Sequence, residues 1–264
     1  MPVNAEEAAL RFAHLLSLPE EEVPLDEAAI LIGARSRQGL DVAGALRTLD
    51  DLAATCPTAS LDDLVHHLFV AQGFRGNAED YYSPANSYLA DVLERRLGIP
   101  ISLAVVLIEV GRRLGVDLSG VNMPGHFLVR TTALPLQLLD PFDAGRSVSL
   151  EAAESLYAQA AAGPFELAVL EPVGPRTILS RMLRNLAEIA RRDRDVVGLA
   201  WALELRSAIP GTGLAERYEY AGALAAAGRY DDAAVVFEAI ADLAEGDAAD
   251  MLAAKASRMR ARLN

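Results

Sequence analysis

The sequence predicts an α+β protein, mostly helical, in which a small antiparallel sheet follows a buried central helix and a helical domain closes the chain. Three observations carry this prediction. Alanine and leucine dominate a chain that is 52% hydrophobic and 23% charged, a balance that favours helix and a soluble globular core. Residues 101–114 are rich in Ile, Val and Leu on nearly every face, which implies central burial. Residues 118–148 then change character, with short β-rich runs separated by Pro124-Gly125 and Asp143-Ala144-Gly145.

Each element follows from local signals. Residues 6–16 form a helix with an acidic start, and Pro19 and Pro24 bracket a loop. Residues 25–38 carry Ala28, Ile30, Leu31 and Ala34 at helical spacing and stop at Gly39. Asp41 caps the next helix, which runs to about Thr55. Ser60, with Asp63 three residues on, resembles a capping signal for a helix through Val70. His66 and His67 are neighbours on that helix, about 100° apart around its axis, so they cannot hold a metal on one face. A structural role is expected for both. Residues 1–70 are therefore a helical segment packed on a core at residues 71–170.

Two glycines, two asparagines and a proline make residues 73–87 a loop. Its pair Tyr81-Tyr82 is unusual for a solvated loop and is expected to pack down. Asn86 begins a helix that Gly98 ends. Pro100 pre-sets the first turn of the central helix and Gly115 stops it. Strands are predicted over residues 118–123, 127–131 and 134–139, then a helix from Ser149 or Glu151 to about Ala162. Gly163-Pro164 and residues 172–175 read as the clearest linker. Residues 176–264 are helix–turn–helix. Gly228-x-Tyr230-Asp-Asp-Ala233-x-x-x-Phe237 matches the small-and-aromatic spacing of a tetratricopeptide repeat, and a weaker unit surrounds Leu186, Asp193, Ala202, Leu205 and Pro210. Two units plus a final helix over residues 247–263 make a short solenoid that must lean on the core.

Charge and composition exclude several functions. A net charge of −13 disfavours non-specific nucleic-acid binding. The basic pairs Arg95-Arg96, Arg112-Arg113 and Arg191-Arg192 each lie at a predicted helix end, where cations complement the dipole. Cys56 is the one cysteine, so no intrachain disulfide forms, as suits a reducing cytoplasm. The N-terminus has no basic stretch followed by an apolar core. The longest apolar run, residues 99–108, is too short for a bilayer and is broken by Ser102. A cytoplasmic protein is expected, with no membrane partner, nucleic-acid partner, cofactor or metal.

The chemistry concentrates between Asn86 and Phe142. Ser102 lies in the first turn of the central helix, where free N–H groups and the dipole favour negative charge. A cysteine there would be a strong nucleophile, whereas a serine needs a well-placed base. Taken alone, Ser102 also reads as a hydroxyl bonded to nearby backbone. His126 opens a strand and Asp140 closes the next. An antiparallel hairpin places His126 across from Asp140, able to hold the imidazole in one tautomer. That is the chain order of a nucleophile–base–orienter triad. Tyr81, Tyr82, Asn86 and Asn122 are expected to line the same cleft.

The strings G-F-R-G-N-x-x-x-Y-Y-x-P-x-N-S-x-L-x-x-V-L-x-R-R-x-G-I-P-I-S-L, G-V-N-x-P-G-H-F and L-D-P-F resemble the SirB-type transglutaminase-like proteins. That family joins a transglutaminase-like core to C-terminal tetratricopeptide repeats, and the resemblance covers nearly the whole chain beyond about Pro24. It implies a cytoplasmic bacterial protein, some relatives being described as regulators of virulence gene expression. It puts Ser102 at the nucleophile position, His126 at the base and Asp140 at the orienter. Serine in place of cysteine leaves two readings. One is a non-catalytic scaffold or regulatory protein that binds a protein or peptide through its C-terminal helical repeats. The other is an amide or thioester hydrolase working through Ser102, His126 and Asp140.

Overall fold

Side-chain caps set where several helices begin. In the computed structural model, which describes residues 2–37, 39–161 and 163–263, Asn4 Oδ1 accepts from Glu7 N at 2.9 Å and opens α1 (Ala5–Leu16). Asp41 accepts from Gly44 N and opens α3 (Val42–Ala54), and Ser60 accepts from Asp63 N and opens α4 (Leu61–His66). Each cap satisfies an N–H that has no partner within its helix. The exposed His66 and buried His67 diverge, and His67 Nε2 lies 3.4 Å from Thr55 Oγ1.

Three predicted helices change length for reasons of tertiary structure. Helix α2 covers only Leu25–Leu31, followed by a 3₁₀ turn, Ile32–Arg35. The Ile32 carbonyl, at the start of that tighter turn, also accepts from the indole of Trp201 at 2.9 Å. The predicted end at Gln38 lies outside the described residues. After α4 the backbone widens into a π turn, His67–Ala71. The helix predicted from Asn86 starts later, as α5 (Leu89–Arg95), because Asn86 is consumed by the preceding loop. It ends with Arg96 in the left-handed region rather than at Gly98. Gly98 instead joins a short parallel ladder between β1 (Arg75–Gly76) and β2 (Leu97–Gly98).

Helix α6 (Pro100–Leu114) is buried from Pro100 to Gly111 and forms the axis of the fold. Its acid Glu109 and Asp26 of α2 are both buried, and Arg113 bridges them at 3.0 and 2.7 Å. The Arg112-Arg113 pair thus neutralises buried carboxylates as well as ending its helix.

The sheet is antiparallel throughout, in the order β6-β5-β4-β3-β7. Its strands are β3 (Leu118–Val121), β4 (Leu128–Thr131), β5 (Leu138–Asp140), β6 (Arg146–Val148) and β7 (Pro172–Val173). Side chains alternate between two cores. Phe127, Val129 and Leu139 face the core around α6, while Val121, Leu128 and Leu138 pack with Ala153 of α7 (Leu150–Ala160). The predicted end of α7 at Ala162 lies outside the described residues. The strand predicted over residues 134–139 is shorter because Thr131 closes a turn on Gln137. Pro172-Val173, within the segment read as a linker, is the edge strand on β3. A proline is tolerated there because an edge leaves its missing donor unneeded.

Five helices follow: α8 (Pro175–Asp193), α9 (Val196–Ser207), α10 (Leu214–Ala226), α11 (Tyr230–Ala241) and α12 (Asp247–Arg260). Helices α8 and α9 join the main core through Ile178, Leu183, Trp201 and Leu205, beside Phe12, Ile30 and Leu107. One apolar cluster therefore runs from Val3 to Ile209. Helices α10–α12 pack through smaller clusters centred on Leu224 and Ala233 and on Phe237 and Leu252. Among the described residues, no helix is long and apolar enough to cross a membrane.

Candidate functional site

Three segments converge near the start of α6. The first is the loop 77–86, organised by two asparagines. Asn86 is fully buried. Its Nδ2 donates to the carbonyls of Asp80 (2.7 Å) and Tyr81 (3.1 Å), and its Oδ1 accepts from Asn77 Nδ2 and Arg95 Nη1. Asn86 therefore shapes the loop from inside and does not line the cleft, contrary to the sequence expectation. Tyr81 packs edge-on against Phe142 and against Tyr82, while Tyr82 keeps 56% of its surface exposed.

The second segment is the first turn of α6. Ser102 is 0% exposed. Its Oγ accepts from Ile99 N at 3.0 Å and lies 2.6 Å from the carbonyl of Asn86, to which it donates. The hydroxyl thus ties the helix start to the loop. Gly98 makes room for it, since a Cβ there would stand 2.7 Å from Ser102 Oγ.

The third is the β3–β4 turn. His126 N donates to Met123 O, with Pro124 and Gly125 at the centre and Gly125 at φ +70°, the positive φ that a type II turn demands of its third residue. His126 Nε2 lies 2.7 Å from Asp140 Oδ2. The register differs from the expected one. Val129 pairs with Leu139 and Arg130 with Leu138, so Asp140 is in line with Leu128 and His126 reaches it diagonally. The other carboxylate oxygen accepts from Phe142 N and Asp143 N. Among the described residues, the imidazole makes no hydrogen bond to Ser102.

Burial alone would push the Asp140 carboxyl up. The hydrogen bond and charge of His126, with the two backbone N–H donors, outweigh it and hold the group below the ordinary carboxylate range. Because the folded value is the lower one, the stability this group adds is complete above the unfolded value of about 3.9 and is lost as pH falls through the folded value. Acid denaturation of Asp140→Asn, followed by circular dichroism, is expected to fall less steeply below about pH 4 than wild type. An unchanged acid limb would mean that Asp140 does not carry this linkage.

The remaining expected residue, Asn122, accepts from Arg181 Nη1. It lines a neighbouring pocket on α8 and not the cleft beside Tyr81 and Tyr82. That cleft, of about 310 Å³, lies between the tyrosine loop, Ile99, Gly125 and α8. Its α8 wall carries Arg181 and Arg184, which sequence reasoning did not single out, and Arg192, which it read only as a cation at a helix end. The available signal was the spacing 181, 184, 188, 192, which puts these residues on the polar face of an amphipathic helix. Among the described residues, no group of three or more His, Cys, Asp or Glu is placed to hold a metal.

A buried helix start facing the β3–β4 turn, with a histidine–aspartate pair on an antiparallel sheet, is a transglutaminase-like arrangement. The chain belongs to the transglutaminase-like superfamily, whose family profile matches residues 36–184. It is 41% identical over 201 residues to a UPF0162 protein of Xylella fastidiosa, covering 69% of this chain and 70% of that one. It is 38% identical over 189 residues to a UPF0162 protein of Pseudomonas aeruginosa, covering 68% and 69%. A third similarity, 34% over 142 residues, is to F-box only protein 21 of Mus musculus, covering 50% of this chain and 22% of that one. No solved structure gives a significant match.

Proposed function

We propose that this chain is a non-catalytic, transglutaminase-like scaffold or regulatory protein that binds another protein, with its C-terminal helices as tetratricopeptide-like repeats. The observation that carries this reading is the state of Ser102. Its hydroxyl is buried, it has the carbonyls of Asn86 and Ile99 as acceptors at 2.6 and 3.1 Å, and it accepts from Ile99 N. A nucleophile must present its oxygen to both a base and a substrate, and this one is spent on backbone. The His126–Asp140 pair then acts as a strut between β4 and β5. A binding role for the helical tail is supported by apolar side chains left exposed on α11, α12 and the turn between them: Val235, Leu243 and Met251. The Gly228 turn between α10 and α11, with Ala233 and Phe237 buried, fits the repeat spacing.

Against this stands the hydrolase reading, in which Ser102, His126 and Asp140 act as a triad. One experiment separates them. In a Cys56→Ala background, Ser102→Cys is treated with iodoacetamide at mildly acidic pH, and wild type is assayed on simple amides and thioesters. A pre-organised thiolate would have a pKa roughly one unit or more below the free value of about 8.5. The expected result is alkylation no faster than a free thiol and no wild-type turnover. Fast alkylation that His126→Ala abolishes, or turnover lost in Ser102→Ala, would replace the scaffold reading with the enzyme.

A further inference from the structure

The groove along α8 suggests what kind of partner such a scaffold takes, and the inference rests on the binding reading above. Arg181 and Arg184 are one turn apart on the same helix face and both line the cleft beside Tyr81 and Tyr82. They also line the adjoining pocket of about 330 Å³, where the hydroxyls of Thr177, Ser180 and Thr212 gather. The two spaces therefore meet along these two arginines.

Their charges are not answered from within. Arg181 is half-buried, and its guanidinium donates to neutral oxygens, Asn122 Oδ1 and Met123 O at 2.7 Å. Its face packs over the Phe127 ring at 5.6 Å. Among the described residues Arg184 has neither an ion pair nor a hydrogen bond. Burial and the neighbouring Arg184 both push the Arg181 guanidinium below the ordinary arginine range, which signals a desolvated, repelled cation. Farther along, Arg192 stacks on Tyr82 at 4.4 Å and pairs with Asp193. Glu188 is the one acid lining the tyrosine side of the groove. Two like charges held one turn apart, one of them half-buried, favour an anion between them.

We infer that this groove binds an acidic peptide segment of the partner protein, with Arg181 and Arg184 holding its carboxylates and Tyr81 and Tyr82 flanking its backbone. Nucleic acid fits less well. The row from Arg181 to Arg192 extends only about 16 Å along the helix, and beyond that short row a chain of net charge −13 disfavours a long polyanion.

The test titrates the full chain into fluorescein-labelled hexaglutamate and reads anisotropy at low and physiological salt, with hexaglutamine and oligothymidylate as comparisons. Hexaglutamate is expected to bind, to weaken with salt, and to weaken by about tenfold or more in Arg184→Glu, an exposed substitution that removes no internal contact. Arg181→Gln should lose affinity similarly, and Arg181→Lys should lose less. Hexaglutamine should not bind. No hexaglutamate binding, equal binding of hexaglutamine, or an unchanged affinity in Arg184→Glu would overturn the proposal. Tighter binding of oligothymidylate would replace it with a single-stranded nucleic-acid site. Each of these leaves the alkylation and turnover assay untouched, so failure here is distinct from failure of the non-catalytic reading.

Discussion

Asn86→Ala is expected to be among the most destabilising single substitutions outside the apolar core. The side chain makes four hydrogen bonds, two donated to loop carbonyls and two accepted from Asn77 and Arg95, and no part of it reaches solvent. Truncation removes all four and leaves buried partners unsatisfied, chiefly the Asn77 amide. A net cost of about 3–5 kcal/mol follows, since each lost bond is worth about 1 kcal/mol and each orphaned group costs about 1–3. For a chain of this size that lowers Tm by roughly 10 °C. The neighbour Ser87 supplies the contrast. Its Oγ is buried without a partner among the described residues, so Ser87→Ala should be close to neutral. Thermal and urea unfolding of both variants would check this. A loss below about 1 kcal/mol for Asn86→Ala would show that the loop does not depend on this side chain.

Trp201→Ala should cost as much by a different route. The ring is 5% exposed and sits in the main core where α9 meets the turn after α2. Its Nε1 donates to the Ile32 carbonyl at 2.9 Å. Truncating a buried tryptophan costs about 3–5 kcal/mol through lost burial and the cavity left behind. The lost hydrogen bond adds about 1 more. The damage should be localised. Limited proteolysis is expected to cleave α9–α12 well before the sheet and α6, while Trp201→Phe keeps most of the packing and loses mainly the hydrogen bond. Uniform cleavage across the chain would mean that this residue does not anchor the C-terminal helices.

Much of the fold was legible because its signals are local. Caps at Asp41 and Ser60, the stop at Gly115 and the Pro124-Gly125 turn each depend on residues within a few positions. The errors came where a side chain or a neighbouring strand engages the backbone beyond the reach of local signals. The helix predicted over residues 25–38 tightens into a 3₁₀ turn where the Ile32 carbonyl meets Trp201, and Asn86 satisfies its own loop and delays α5. Pro172-Val173 carries a linker signature, yet the free edge of β3 makes it a strand.

The candidate site divides the same way. The order of Ser102, His126 and Asp140 and the elements that carry Ser102 and Asp140 could be read from the sequence, as could a hairpin bringing the last two near each other. His126, expected to open a strand, lies in the turn before β4 because its N–H closes that turn on Met123. Whether a hydroxyl in a first helical turn faces a cleft or the backbone is not a local property. It depends on where Asn86 and Gly98 stand, 16 and 4 residues upstream. The arginine wall was invisible for a related reason. A polar helix face looks the same whether it meets water or another segment, and only packing of α8 on the core brought Arg181 and Arg184 beside the tyrosine loop. The sequence by itself determined the transglutaminase-like class, the mostly helical balance, three of the strands and the chain order of Ser102, His126 and Asp140, because periodicity, caps and motifs act over short range. Tertiary structure alone decided that the Ser102 hydroxyl is tied to backbone and that the open groove is basic, because both depend on contacts between segments far apart in the chain.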